Sequence, residues 1–283
     1  MNILVIGGCG FIGSNLIQKL LKQNKYNIYC LDNYFTGTKK NHFDNVKYIE
    51  GNSWDIDKFF PDIKFKIIFH FGEYSRISTS FEDINILYDS ILKGTPKVLE
   101  YCLKNNTKLI YSASSSKFGN NGEDKNLSPY SWMKAKMVEL IKNYNKWFNL
   151  KYQIVYFYNV YGPRQIYNSK YSTVIAIFEE QKKNNQKLTV VRPGTQKRNF
   201  THIYDITEGL IKIINLENNI NQEWNLGNNQ KISIIELAKM FGGDYIFIDE
   251  KNGDRKGNEN INNNTKEILN WNCKYQLNNY IKL

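Results

Sequence analysis

The 283-residue chain is predicted to be an α/β protein, a doubly wound parallel sheet joined to a smaller C-terminal lobe. Three observations predict it. Short runs of Ile, Leu, Val and Phe alternate with long amphipathic stretches through the first half, the rhythm of strand–helix–strand units. A turn with glycine at positions 7, 10 and 13 follows the first apolar run directly. Beyond Gly162-Pro163 the pattern changes to mixed, shorter elements, which marks the second lobe.

The elements follow in order. Residues 3–6, 28–31, 46–49, 67–71, 109–112 and 153–157 are apolar runs of strand length bounded by polar or turn residues, and read as strands. Residues 11–23, 83–105 and 129–148 carry helical periodicity, the last opened by Ser128-Pro129 as N-cap and first-turn proline. In the second lobe residues 172–183, 188–191, 204–216, 233–241 and 265–269 read as short strands and helices. Residues 250–264 are polar and Asn/Gly-rich and read as a loop. The expected division is a dinucleotide-binding domain over 1–161, with a segment at about 198–215 returning to it, and a substrate-binding lobe over 162–283.

Composition narrows the function classes. No window approaches the roughly 18 uninterrupted apolar residues of a membrane span. The start lacks the basic region and cleavage site of a signal peptide, so a cytoplasmic protein is expected. Cys9, Cys30, Cys102 and Cys273 are scattered and only three histidines are present, which argues against a disulfide framework and against a metal site. Cys9, inside the glycine turn, reads as a small filler rather than a nucleophile. The net charge of +11 comes from lysines dispersed among asparagines, not gathered into one arm. That distribution does not describe a nucleic-acid surface, although its field would draw in an anionic nucleotide substrate.

Two motifs carry chemistry. Gly7-x-x-Gly10-x-x-Gly13 sits between a strand and a helix, where missing side chains let backbone N–H groups and a helix N-terminus approach a pyrophosphate. Asp32 follows about 20 residues later at the end of the second strand, positioned to accept hydrogen bonds from ribose hydroxyls. Far downstream, Tyr130 and Lys134 stand one helical turn apart on the helix that Ser128-Pro129 opens. A tyrosine of ordinary pKa near 10 is a poor base at neutral pH, but a neighbouring ammonium group favours the phenolate. Ser114, after the strand 109–112, is placed to hold a substrate hydroxyl. Gly7, Asp32, Asn52, Phe71, Ser114 and Asn159 all fall at or just beyond strand ends, where such sheets bind ligands.

With these residues in hand, the chain resembles the extended short-chain dehydrogenase/reductase family, in particular its nucleotide-sugar epimerases and dehydratases, over nearly its whole length. The likeness rests on GGCGFIG (7–13), LDNYFTG (31–37), EGNSWD (50–55), HFG (70–72), YSASSSKFG (111–119), PYSWMK (129–134), FYNVYGPRQ (157–165) and RNFTHIYD (198–205). It implies a Rossmann-type fold, tightly held NAD and a Ser114–Tyr130–Lys134 triad. Tyr130 is then the acid/base, and Lys134 also touches the nicotinamide ribose. Gly7, Gly10, Phe11, Ile12, Gly13, Asp32, Asn33, Asn52, Ser53, Phe71 and Gly72 would complete the cofactor contacts. Asp32 argues for NAD over NADP, because a carboxylate repels a 2′-phosphate. Asn159 and Arg198 would contact a UDP- or GDP-linked sugar, Arg198 at the diphosphate with help from Lys251 or Arg255.

The resemblance also bears on the reaction. Related 4,6-dehydratases carry Thr-Asp-Glu where this chain has Ser114-Ser115-Ser116, and related decarboxylases tend to have Glu in place of Ser116. A 4-epimerase needs no such acid. It oxidises C4 of the sugar transiently and returns hydride to the opposite face, so 4-epimerisation is the expected activity. The alternatives are a 4,6-dehydratase or 4-keto reductase of the same fold, or a catalytically silent NAD-binding protein. Departures from the family pattern are Asn52 in place of an acid, Tyr156 in place of an arginine, and only 16 positions from Ser114 to Tyr130. Glu73-Tyr74-Ser75-Arg76 is unusually polar. Arg76 faces either a substrate carboxylate or phosphate, or a surface ion pair. A homodimer through the helices at 83–105 and 129–148 is also implied.

Overall fold

In a strand buried on both faces, alternation gives way to continuous apolar sequence. The first strand, β1 (Asn2–Ile6), shows this, with Ile3, Leu4 and Val5 fully buried. The computed structural model describes residues 1–216, 221–250, 252–254 and 264–282. After β1 come α1 (Phe11–Leu21), β2 (Asn27–Asp32), β3 (Val46–Glu50), α2 (Ile56–Phe59) and β4 (Ile67–His70). Next are α3 (Ile84–Leu87), α4 (Gly94–Lys104), β5 (Lys108–Ser114), α5 (Pro129–Phe148) and β6 (Tyr152–Phe157). These are followed by β7 (Val160–Tyr161), α6 (Val174–Lys183), β8 (Leu188–Val191), β9 (Lys197–Asn199), β10 (Thr201–His202) and α7 (Ile203–Ile214). The remaining elements are β11 (Gln222–Leu226), β12 (Lys231–Ser233), α8 (Ile234–Met240), β13 (Tyr245–Ile248), α9 (Asn264–Leu269) and α10 (Leu277–Ile281).

Seven strands form one parallel sheet in the order β11-β6-β5-β4-β1-β2-β3. The chain winds outward from β1 to β3, then crosses back to place β4 on the other side of β1, with Ile3 paired to both Ile28 and Ile67. This is a Rossmann-type fold, and the β1/β4 crossing is its switch point, where a crevice opens at the carboxyl ends of the strands. One face of the sheet is covered by α4 and α5, with Val98, Leu99, Val138 and Ile141 in its core. The other is covered by α1 and α7, with Leu16, Ile17, Ile206 and Leu210.

The expected strands and the helix at 129–148 are present at close to their expected bounds. Ser128 caps α5 by accepting the Ser131 N–H at 3.1 Å, and Asn149 ends it in the left-handed region at φ 57°. The stretch expected at 83–105 is helical without a break from Ile84 to Lys104, but it is not a uniform α-helix. Between α3 and α4 residues Tyr88–Lys93 form a wider π-type turn. Gly94 follows, where a side chain would collide with Ser53 Oγ, so α4 can lie close under the loop after β3. Such a turn shifts the helical phase, and Asp89 and Ser90 lie on the cleft. The seventh strand, β11, is absent from the sequence reading, because Gln-Glu-Trp-Asn-Leu is not an apolar run. Its place on β6 is sealed by Trp224, whose Nε1 donates to Gln153 Oε1 at 2.6 Å.

A smaller core of Ile175, Phe178, Leu188, Val190, Leu237 and Phe241 lies beneath α6, α8 and the β8–β13 pair. The C-terminal segment is tied to α7. Trp271 Nε1 donates to the Asp205 carbonyl at 2.9 Å, and the Asp205 carboxylate accepts the Lys274 and Tyr275 amides.

Candidate active site

The switch point opens into a cleft of about 620 Å³ running from the glycine turn to β9 and α6. Gly7 follows β1 with φ +79°, and a Cβ there would lie 2.6 Å from Gly72 N, just beyond β4. At Gly13 a Cβ would strike the Gly7 carbonyl and stand 2.7 Å from Gly8 Cα, so helix and turn pack backbone to backbone. Gly10 caps α1 with no side-chain cap bond. Phe11, Ile12, Phe71 and Gly72 line the same end of the cleft. A turn with glycine at 7, 8, 10 and 13, where added Cβ atoms at 7, 8 and 13 would collide with neighbouring atoms, fits the pyrophosphate of a dinucleotide.

Asp32 closes β2 and is almost fully buried. Its carboxylate accepts the Cys9 amide at 2.8 Å and the Tyr34 amide at 2.8 Å, which braces the glycine turn against the second strand. Burial pushes its pKa up, against those two amide bonds that favour the anion. Cys9 and Cys30 lie beneath, with sulfurs 3.7 Å apart. With Asp32 they bring three potential metal ligands within 4.8 Å. The hydrogen bond shared with Cys9, followed by burial, pushes the Cys30 thiol up, and both carboxylate oxygens are engaged by amides, so this cluster reads as packing under the turn. Asn33 lines the cleft and donates to Asn52 Oδ1 at 2.9 Å. Asn52 and buried Ser53 line a small adjoining cavity of about 30 Å³ rather than the main cleft.

The middle of the cleft is formed by the end of β5 and the first turns of α5. Ser114 is the last residue of β5, its Oγ 2.8 Å from Ser116 Oγ. Tyr130 and Lys134 project from the same face of α5, and all three side chains line the cleft. The Lys134 ammonium is held by the Glu73 carboxylate and the Ser112 carbonyl, and stands 4.4 Å over the Tyr111 ring. Glu73, whose side chain is 2% exposed, also accepts from Thr95 Oγ1 and from Tyr111 OH, the latter at 3.3 Å. His70 Nε2 is 3.2 Å from Thr95 Oγ1. Since the threonine hydroxyl donates to Glu73, its oxygen accepts from His70, which fixes an Nε2–H tautomer. Burial pushes the His70 pKa down to about 4, so the ring is neutral.

The far end of the cleft carries Asn159 and Arg198. Asn159 sits just past β6 with φ 35° and donates to the Asn199 carbonyl at 3.2 Å, beside Arg198 on β9. Arg198 donates to the Lys197 carbonyl at 2.9 Å. Lys251 and Arg255 lie outside the described residues. Tyr156, where the family pattern has arginine, is buried and donates to Glu223 at 2.6 Å, so it is structural here. Arg76 lines the cleft, and among the described residues it makes no ion pair with a carboxylate.

The Glu73 network was not among the nominated site residues. Its signal was the run Glu73-Tyr74-Ser75-Arg76 directly after the HFG motif, where charged residues enter a strand end that the fold buries. Among the described residues no helix is long and apolar enough to cross a membrane.

Comparisons with known proteins bear on this geometry. Residues 3–227 match the model of the NAD dependent epimerase/dehydratase family. A putative UDP-glucose 4-epimerase of Methanocaldococcus jannaschii is 31% identical over 273 residues, covering 89% of this chain and 87% of that protein. Among solved structures, a UDP-glucose 4-epimerase of Thermotoga maritima with UDP-glucose has a TM-score of 0.91 at 24% identity, covering 100% and 97% of the two chains. A UDP-glucuronic acid 4-epimerase of Bacillus cereus, in complex with UDP-glucuronic acid and NAD, has a TM-score of 0.89 at 26% identity and the same coverage.

Proposed function

Because this chain belongs to the NAD-dependent epimerase/dehydratase family of extended short-chain dehydrogenases/reductases, we propose that it is a nucleotide-sugar 4-epimerase acting on a UDP- or GDP-linked sugar. The observation that carries the reading is Ser114, Tyr130 and Lys134 facing one cleft, with buried Ser115 and Ser116 after Ser114 where dehydratases of the family carry acids. Bound NAD supplies the hydride acceptor and donor for the sugar carbon. The protein's part is proton handling and orientation. Tyr130 accepts the proton of the 4-hydroxyl as C4 is oxidised and gives it back after the sugar has turned over. Ser114 holds that oxygen. Lys134, with two of its three N–H donors taken by Glu73 and the Ser112 carbonyl, offers the third to the nicotinamide ribose. Gly7, Gly10 and Gly13 give backbone access to the cofactor pyrophosphate, and Asp32, Asn33, Asn52 and Ser53 line its adenosine end. Asn159 and Arg198 hold the sugar nucleotide, with Lys251 and Arg255 as further diphosphate contacts. We place the cofactor domain at 1–161 with its returning segment at about 198–215, extended by β11, which pairs with β6 in the same sheet, and the substrate lobe in the remainder of 162–283.

A second copy is proposed to pack against α5 and the π-type turn, where Tyr88, Leu92 and Trp132 are exposed. Sedimentation as a strict monomer would remove that part. The reaction is tested by native mass spectrometry for retained NAD, then incubation with UDP- and GDP-sugars and NMR of the products. Inversion at C4 without net NADH supports the epimerase. A 4-keto-6-deoxy product, a decarboxylated sugar or net NADH consumption assigns one of the family's other reactions.

A further inference from the structure

Arg76 has no role in the reaction described above, yet it lies in the same cleft as Tyr130. Its guanidinium is clamped by backbone. Nε donates to the Tyr171 carbonyl, and Nη1 donates to the Ser75 carbonyl at 2.9 Å. A guanidinium carries five N–H donors. Two are thus used, and the other three meet no hydrogen-bond acceptor among the described residues. Two acids of the same segment are engaged elsewhere. Glu73 is taken by Lys134, Thr95 and Tyr111, and Asp83 by Lys170, Tyr74 and Tyr171. The side chain is held in a half-buried position where burial works against its charge, and the ionisable neighbours that favour the cation are Tyr130 and Tyr74.

A fixed, partly desolvated cation that meets no counter-ion among the described residues is costly unless the ligand supplies the anion. Its place decides which anion. Arg76 and Tyr130 line the same cleft, and Ile77 and Ser128 beside them in the chain both lie 3.1 Å from the Cβ position of Gly253, so the two segments meet there. Tyr130 marks where the sugar reacts, so Arg76 meets a ring substituent, whereas the diphosphate belongs with Arg198 at the other end. The planar fork of arginine fits a carboxylate with two parallel hydrogen bonds. We propose that Arg76 recognises a carboxylate on the sugar ring, so that the preferred substrate is a nucleotide-linked uronic acid. The proposal rests on the nucleotide-sugar reading of the cleft and names its substrate class. A neutral hexose would leave the Arg76 donors unsatisfied, which is how such sites discriminate.

The test separates binding from turnover. NAD-loaded Tyr130→Phe protein is titrated calorimetrically with nucleotide-matched pairs, UDP-glucuronate against UDP-glucose and GDP-mannuronate against GDP-mannose. In at least one pair the uronate is expected to bind about 10- to 100-fold more tightly, the worth of hydrogen bonds between charged groups. In Arg76→Met on the same background that ratio is expected to fall toward one. Arg76→Lys, which keeps the charge and loses the fork, is expected to lie between them and serves if the methionine variant does not fold. Equal affinity for uronate and hexose in both pairs overturns the proposal, as does an equal loss of both ligands in the Arg76 variants. C4 inversion of neutral sugars by the parent protein without uronate preference sinks this proposal alone. Uronate preference without C4 inversion leaves it standing and removes the epimerase.

Discussion

Replacing Glu73 by glutamine tests the buried network beneath Lys134. The side chains of Glu73 and Lys134 are 2% and 4% exposed, so neither charge has water to fall back on. Breaking a buried pair by removing one partner costs about 3–5 kcal/mol, because the other charge stays behind uncompensated. The lower end is expected. Glutamine still accepts from Thr95 and Tyr111, and Lys134 keeps the Ser112 carbonyl and the Tyr111 ring at 4.4 Å. A loss of about 3 kcal/mol in the NAD-free protein corresponds to a Tm lower by roughly 5 °C for a chain of this size. Urea unfolding of the parent, Glu73→Gln, Lys134→Met and the double variant measures the coupling directly. The double variant leaves no stranded charge and is expected to be more stable than the sum of the single losses allows. A Glu73→Gln protein within 1 kcal/mol of the parent, or strict additivity in the double variant, would refute the reasoning.

Three further outcomes are expected. Tyr130→Phe abolishes turnover while native mass spectrometry still finds NAD bound, and normal activity in that variant would remove Tyr130 from the chemistry. Gly13→Ala drives a methyl into the Gly7 carbonyl and Gly8 Cα, so the protein is expected to purify without NAD and to lose about 1–3 kcal/mol of stability, the usual cost of overpacking. Full NAD occupancy in Gly13→Ala would show that the turn can open. Burial lowers His70 and His202 to about 4, from about 6.5 in the unfolded chain. The unfolded state therefore takes up protons that the folded state refuses. Stability from this source is full above about pH 6.5 and is lost as pH falls toward 4, by up to about 1.4 kcal/mol per pH unit for each ring. His202→Asn keeps a side chain able to cap α7 and is expected to flatten that slope by one proton's worth, so parallel curves would refute it.

Much of the candidate site was legible because its signals are local. The glycine turn, Asp32, and the Tyr130/Lys134 pair each declare themselves within one strand–turn–helix unit, where backbone sterics and helical spacing dictate which residues face the ligand. The strands of the first half were legible for the same reason, since a strand buried on both faces must be written as an apolar run. The helix expected at 83–105 is present as an unbroken run over Ile84–Lys104, but its internal π-type turn was not legible, because periodicity reports the face of a helix and not the phase shift such a turn introduces.

By itself, then, the sequence determined an α/β sheet, a close-packed glycine turn after its first strand and a Tyr/Lys pair on a later helix. Tertiary structure alone decided what those parts meet. It brought Glu73 to Lys134 across 61 positions and Arg76 to the Tyr171 carbonyl across 95, and it set the polar segment Gln222–Leu226 beside β6 as the seventh strand. Such contacts depend on how strand ends and loops converge over a parallel sheet. They are long-range and electrostatic, and no spacing rule within one element records which distant charge will be buried against which.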